Sequence, residues 1–343
     1  MKLLIDILHP AHVHVFRNFI SIMKQKGHEV IVTAREKDVT RALLDAYQIP
    51  YITLSKISSK KVGLAWELVS RTSRLLKIAR KEKPDVLLGC MGPSIAPVGK
   101  ILHIPTIVFY NNETAGTVTS WVHRLATEYV TSSSFEQRFG KNHLTHNSYH
   151  ELAYLHPKYF TPNKKTVEQL GIKDKEKYVL VRFVAWQSSH DVGAQGITDK
   201  INFIHELAKH ARVIISSEKN VPTELKKYTL AIPPEKYHDL LAFASLCVGE
   251  SATLAAEAAC LGVPAVYIAN TMRGYTNELE KDYGLVFNFA SQQEGLNKCV
   301  ELLTNHNTKK EFAQRHKKML TDKIDLTAWM VDHVEGFGKK KGE

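Results

Sequence analysis

A chain of 343 residues with 44% apolar and 24% charged residues can build two cores of ordinary size, and it is neither disordered nor fibrous. Its formal net charge of +11, from 46 basic and 35 acidic residues, calls for an anionic partner: nucleotide phosphates, an acidic lipid surface or nucleic acid. No run of 18 apolar residues exists to span a membrane, and MKLLIDILHPAH lacks a signal-peptide cleavage site. The four scattered cysteines (Cys90, Cys247, Cys260, Cys299) form no C-x-x-C pair, so a reduced cytoplasmic protein without a zinc site is expected.

In chain order, LLIDIL (3–8) reads as a strand, followed by an amphipathic helix from about His14 to Lys26 that Gly27 closes. EVIVTA, PDVLLG (84–89), PTIVFY (105–110) and EYVTSS (128–133) are further strands separated by helical patterns. Their continuous hydrophobicity predicts parallel strands covered on both faces. The polar stretch from Leu155 to Lys177 holds two prolines and no strand, and reads as a domain junction. Alternation restarts with YVLVRFVA (178–185), RVIISS (212–217), SLCVGE (245–250) and PAVYIA (264–269). One long helical pattern fills Lys309 to Phe337, and the tail GKKKGE is expected to be disordered. The fold class is therefore α/β, two doubly wound Rossmann-like domains in series. The expected boundaries are 1–160, 161–325, a C-terminal helix over 326–337 and a tail over 338–343.

In such sheets ligands bind beyond the carboxyl ends of the strands, so the loops there are the candidates. The strongest runs from Gly249 to Pro264. A strand ends in the small turn Gly249-Glu250-Ser251-Ala252-Thr253 and enters an alanine-rich helix. Free amides at a helix start, with the Ser251 and Thr253 hydroxyls, suit a diphosphate. Glu257, one turn further in, suits a ribose diol. Three histidines follow the first strand, His9, His12 and His14, with Pro10 stiffening the turn; a general base or acceptor contact is favoured over a metal there. Gly92 after PDVLLG, and Asn111, Asn112 and Glu113 after the next strand, supply flexible backbone and polar groups on the same edge. In the second half, Arg182 lies inside a strand and needs an anionic partner, while Ser188, His190 and Ser217 lie in or beside polar strand-end loops.

Several classes are excluded by motif. There is no P-loop, no G-x-G-x-x-G after the first strand, no nucleophile elbow and no D-x-D, so metal-bridged diphosphate chemistry is not indicated. No RNA module or aromatic–basic interleaving supports nucleic acid.

KPDVLLGCMGPSIAPVGKILHIPTIVFYNNETAG, LLAFASLCVGESATLAAEAACLGVPAVYI and HPAHVHVFRNFISIMKQKGHEVIV resemble the corresponding segments of the lipid II-forming N-acetylglucosaminyltransferase and other two-domain glycosyltransferases of the GT-B fold. Over nearly its full length the chain is most similar to an archaeal and bacterial family catalogued as domain of unknown function 354. The resemblance implies two Rossmann-like domains facing across a cleft. A nucleotide-sugar, a UDP-sugar above all, would be held by the C-terminal domain, with no other cofactor and no metal. Ser251 to Thr253 would meet the diphosphate, Glu257 the ribose and Ile232 the base. His12 would lie near the reacting centre, with a glycan or lipid-linked acceptor on the N-terminal side and a role in surface polysaccharide synthesis. HPAH replaces the glycine-rich turn of those enzymes. Glu250 and Glu257 are seven apart rather than the eight of retaining enzymes, which favours an inverting mechanism. UDP-N-acetylglucosamine 2-epimerases share the fold and are the alternative, as is a nucleotide-sugar hydrolase or a non-catalytic nucleotide-sugar-binding protein. Residues 56–83 hold nine basic residues among leucines with Trp66, which suggests peripheral contact with an anionic membrane surface.

Overall fold

The computed structural model describes residues 1–56, 61–111, 113, 116–184, 196–217 and 221–339. The chain divides into two compact units, Met1–Tyr154 with Ile324–Glu343, and Leu155–Lys323.

Unit 1 begins with β1 (Lys2–Ile7), α1 (Pro10–Gln25), β2 (Glu29–Glu36), α2 (Thr40–Ala46), β3 (Ile52–Lys56) and α3 (Lys61–Glu82). It continues with β4 (Val86–Cys90), α4 (Ile95–Leu102), β5 (Thr106–Tyr110), α5 (Gly116–Leu125), β6 (Glu128–Ser132), β7 (His143–His146) and α6 (Leu152–Leu155). The seven strands form one parallel sheet in the order β3-β2-β1-β4-β5-β6-β7. Every residue of β4 and β5 is buried, as expected of strands covered on both faces. α1 starts earlier than its apolar pattern suggests, because Pro10 occupies the first turn and His9 caps it, its Nδ1 accepting the Ala11 amide at 3.2 Å. Phe16, Phe19, Ile20 and Met23 form its buried stripe, each large side chain contributing about 1.5–3 kcal/mol on burial.

Unit 2 contains α7 (Lys164–Gln169), β8 (Tyr178–Phe183), α8 (Lys200–Ala208), β9 (Arg212–Ser217), α9 (Tyr237–Ala242), β10 (Leu246–Gly249), α10 (Ala252–Cys260), β11 (Ala265–Ile268), α11 (Gly274–Lys281), β12 (Val286–Phe289), α12 (Gln292–Thr304) and α13 (Thr308–Asp322). Its parallel sheet runs β12-β11-β10-β8-β9. The division between units falls after Tyr154 and after Lys323, where the sequence suggested 160 and 325.

The single helical pattern from Lys309 breaks into α13 and α14 (Leu326–Lys339). The break is held from both sides: Lys323 Nζ binds Glu278 Oε1 at 2.7 Å within unit 2, and the Ile324 amide donates to the Asn147 carbonyl at 3.0 Å within unit 1. α14 then packs on unit 1 through Leu326, Met330 and Val334, all fully buried, and through Glu335, which bonds Lys26 and His28 of α1 and β2's approach. Because α14 reaches Lys339, residues 338 and 339 are helical rather than disordered tail; residues 340–343 lie outside the described residues.

Candidate functional site

Each sheet has one point where the strand order reverses, and there the loops diverge to opposite faces and leave room for a ligand. In unit 1 it lies between β1 and β4, in unit 2 between β8 and β10. The loops at those two points carry His9 to His12 with Gly92, and Arg182 with Gly249 to Thr253.

In unit 2 the turn into α10 is fixed by backbone proximity. Gly249 pairs with Arg182 across the sheet, and a Cβ on Gly249 would stand 2.1 Å from the Arg182 carbonyl oxygen. Only glycine allows that approach. Glu250, 3% exposed, accepts the Val184 amide on Oε2 and the Ile197 amide on Oε1, both at 2.8 Å. A Cβ on Gly196 would lie 2.5 Å from Glu250 Oε1, so that glycine too is set by the carboxylate. Glu250 thus ties the end of β8 to the chain entering α8. Ser251 caps α10 by accepting the Leu254 amide at 3.3 Å. The next two amides, of Ala252 and Thr253, meet no acceptor among the described residues. Ala252 is buried and Thr253 half-buried.

Glu257 faces inward, with Oε1 3.0 Å from His238 Nε2, both side chains buried. The sequence offered no sign of His238, since the pair spans two elements and 19 residues. Beside it the Tyr237 hydroxyl is pushed up by burial first, with Cys247 and Glu257 adding to that and Arg182 opposing it. Arg182 donates from Nη1 to Ser216 Oγ at 2.8 Å, which partners the guanidinium with a neutral hydroxyl. Ile232 is half-buried in the segment between two short 3-10 turns. Ser188, His190 and the side chain of Ser217 lie outside the described residues.

In unit 1, His12 stands in the first turn of α1, 8% exposed, with Nδ1 accepting the Leu8 amide at 3.3 Å. Burial, then the charges of His150, Lys37 and Arg71, lower it to about 3. His14 does not join it. Two positions along a helix turn the side chain to another face. There His14 stacks on Tyr154 at 5.2 Å and meets Tyr47 edge-on, with its Nδ1 3.4 Å from the Tyr47 hydroxyl. Gly92, at φ +69°, abuts Val108, whose Cγ2 would be 2.6 Å from a Cβ. Asn111 and Glu113 are half-buried at the end of β5, the Glu113 carbonyl accepting from Gln137; Asn112 lies outside the described residues.

A charge network unread in the sequence crosses the same edge. Asp6, opposite Thr33 in the β1–β2 register, accepts from Thr33 Oγ1 at 2.7 Å and pairs with Arg71 of α3. Arg71, 2% exposed, donates from Nη1 to Ser55 Oγ at 3.2 Å, and its Nε has no partner among the described residues. Ser55 donates to Glu67, which holds Arg35 through two bonds. Of the nine basic residues over 56–83, Arg71 is therefore internal, and Arg74 donates to the Leu54 carbonyl. The outer face shows Trp66, 74% exposed, and Val69, 62% exposed, with Lys77, Arg80 and Lys81. Among the described residues no cluster of His, Cys, Asp or Glu has the makings of a metal site, and no helix is long and apolar enough to cross a membrane.

The solved structures to which the chain is similar share this two-unit α/β architecture, the GT-B fold. Glycosyltransferase SsfS6 of Streptomyces sp. SF2575, complexed with thymidine diphosphate, matches at 13% identity and TM-score 0.64, over 96% of this chain and 99% of that one. UDP-GlcNAc 2-epimerase of Methanocaldococcus jannaschii, in complex with UDP-GlcNAc and UDP, matches at 13% identity and TM-score 0.65, over 94% and 99%. At that identity the likeness is one of fold. By sequence the chain is 23% identical to the uncharacterized protein MJ0665 of Methanocaldococcus jannaschii over 275 residues, 76% of this chain and 80% of that protein. The family described as "Protein of unknown function (DUF354)" matches residues 1–337, and the chain belongs to it.

Proposed function

We propose that the protein is a metal-independent, inverting glycosyltransferase that moves a sugar from a nucleotide-sugar, most simply a UDP-sugar, to a glycan or lipid-linked acceptor in surface polysaccharide synthesis. The observation that carries the proposal is the start of α10. Two amides without acceptors among the described residues stand at the positive end of a helix, at the strand-order reversal of unit 2, and this supports a diphosphate there by geometry and electrostatics. Arg182 adds positive charge at the neighbouring strand end. Glu257 is the proposed ribose contact, oriented by His238, and Ile232 the proposed border of the base. Unit 1, with His12, His9 and Gly92 at its own reversal point, is assigned the acceptor. The nucleotides bound to SsfS6 and to the epimerase support a nucleoside diphosphate as the shared ligand element. The exposed Trp66, Val69, Lys77, Arg80 and Lys81 of α3 support contact with an anionic lipid surface, checked by co-sedimentation with anionic vesicles at low and high salt.

A second reading, a 2-epimerase-like enzyme or nucleotide-sugar hydrolase, draws on the equal likeness of fold to the epimerase. One experiment separates them. A panel of nucleotide-sugars is screened for thermal stabilisation, where ligand at a hundred times its dissociation constant adds about 2.7 kcal/mol. The binder is then incubated with and without acceptor extracts. Transfer that requires acceptor supports the first reading, while an epimer or free nucleotide without acceptor supports the second. Stabilisation by no nucleotide of the panel removes both. Glu257→Gln is expected to weaken binding and leave folding intact.

A further inference from the structure

His12 is placed where a base is wanted, yet its lone pair is already in use. The Leu8 amide donates to Nδ1 at 3.3 Å, and the ring makes no other hydrogen bond among the described residues. A ring whose Nδ1 accepts an N–H bond carries its single proton on Nε2, because imidazolium has no lone pair to offer. The surroundings hold that form. The side chain is buried, with Lys37 after β2 and Arg71 on α3 supplying like charge and His150 before α6 adding to it. The amides at the start of α1 act in the same direction, since a helix N-terminus disfavours a cation. Asp6 on β1, the carboxylate of this edge, is committed to Arg71 and Thr33, and His9 spends its Nδ1 on the Ala11 amide. No carboxylate is among the groups that act on the His12 charge.

We infer that His12 meets substrate as a neutral hydrogen-bond donor, through Nε2–H, to an oxygen lone pair bound at the carboxyl ends of β1 and β4, and does not take the acceptor's proton. The inference rests on unit 1 holding a substrate, as proposed above, and changes what the residue does there. A donor that needs no deprotonation holds an acceptor oxygen other than the attacking one, whose proton leaves to the departing diphosphate or to water, and it works at any pH above the imidazole's own titration.

The test has two arms on the full chain. In the first, the protein is labelled with nitrogen-15 histidine and the ring nitrogens are followed from pH 5 to 8, the His12 signals being those lost in His12→Gln. Expected is an unprotonated Nδ1 and a protonated Nε2 with no change over that range. A His12 ring that titrates between pH 5 and 8, or that carries its proton on Nδ1, overturns the inference. In the second, UDP release from the stabilising UDP-sugar of the panel, with acceptor extract present, is compared for three proteins. Glutamine offers an N–H and an oxygen acceptor but no base; alanine offers neither. Loss of a donor that positions the acceptor costs about a hundredfold, so His12→Ala is expected to fall that far and His12→Gln to stay well above it. Equal losses in both variants return His12 to the role of base. A wild type that releases no UDP even with acceptor extract present counts against the proposed function, while the first arm still decides the tautomer.

Discussion

The two strand-order reversals share a topology and differ in material. In unit 2 the edge is made of backbone: Gly249 presses against the Arg182 carbonyl, Glu250 is spent on two amides, and the Ala252 and Thr253 amides at the start of α10 meet no acceptor among the described residues. In unit 1 the edge is made of side chains: Asp6, Arg71, Ser55, Glu67 and Arg35 in one buried chain of bonds, with a neutral His12 beside it. A backbone edge suits a ligand part common to many substrates, such as a diphosphate, because amides are present whatever the sequence. A side-chain edge is costly to build and can be specific. That division fits a conserved chemical handle in one unit and a particular acceptor in the other.

The largest expected effect comes from breaking the side-chain edge. Asp6→Ala leaves Arg71 buried without its counter-charge, which costs about 3–5 kcal/mol. Urea unfolding followed by tryptophan fluorescence in a Trp186→Phe background checks it, since the other three of the four tryptophans, Trp66, Trp121 and Trp329, belong to unit 1. Replacing both partners with apolar residues of similar volume, Asp6→Leu with Arg71→Met, is expected to recover most of the loss. A single variant as stable as the wild type would show that the network carries nothing, and the contrast between the units would lapse.

Acid gives the next effect. Burial lowers His150 to about 4, and burial with neighbouring charge lowers His12 to about 3, from the ordinary value of 6.5. Both groups bind fewer protons folded than unfolded once the pH falls below 6.5. Their contribution to stability is therefore whole above that pH and is lost on acidification, down to about pH 4 for His150 and pH 3 for His12. In that window each costs about 1.4 kcal/mol per pH unit. Unit 1 is expected to show this loss between pH 6 and 4 in denaturation midpoints, and His150→Phe to flatten it. A flat profile in the wild type would mean that both rings are hydrated.

How much of this was legible follows from the same difference. The Gly249–Pro264 turn stands out in the sequence because close backbone approach demands small residues in a row. Asp6 stands out less, as one carboxylate in an apolar strand, and Arg71 not at all, because a helix of mixed basic and apolar residues looks solvated until the sheet it covers is known. β3, β7 and β12 also escaped notice. Each is short, and β3 and β7 form the edges of their sheet, where exposed positions such as Thr53 and Thr145 interrupt the apolar run. His238 meets Glu257 only because α9 and α10 pack in one unit, which no local pattern encodes.

The smallest expected effect tests the backbone edge itself. Ser251→Ala removes the oxygen that accepts the Leu254 amide and thus the cap of α10, at a cost of about 1 kcal/mol. The amides of Ala252 and Thr253 remain, and with them the positive end of the helix. If the diphosphate is held chiefly by backbone, UDP affinity in Ser251→Ala, measured by calorimetry, falls by less than about tenfold, the equivalent of one ordinary hydrogen bond. Stability and affinity then report different things: the first the hydroxyl as a cap, the second the amides as a cradle. A collapse of affinity with only the cap's worth of stability lost would make the Ser251 hydroxyl itself the ligand contact. Unit 2 would then be a side-chain edge like unit 1, and the separation of a general handle from a specific acceptor would have to be sought elsewhere in the chain.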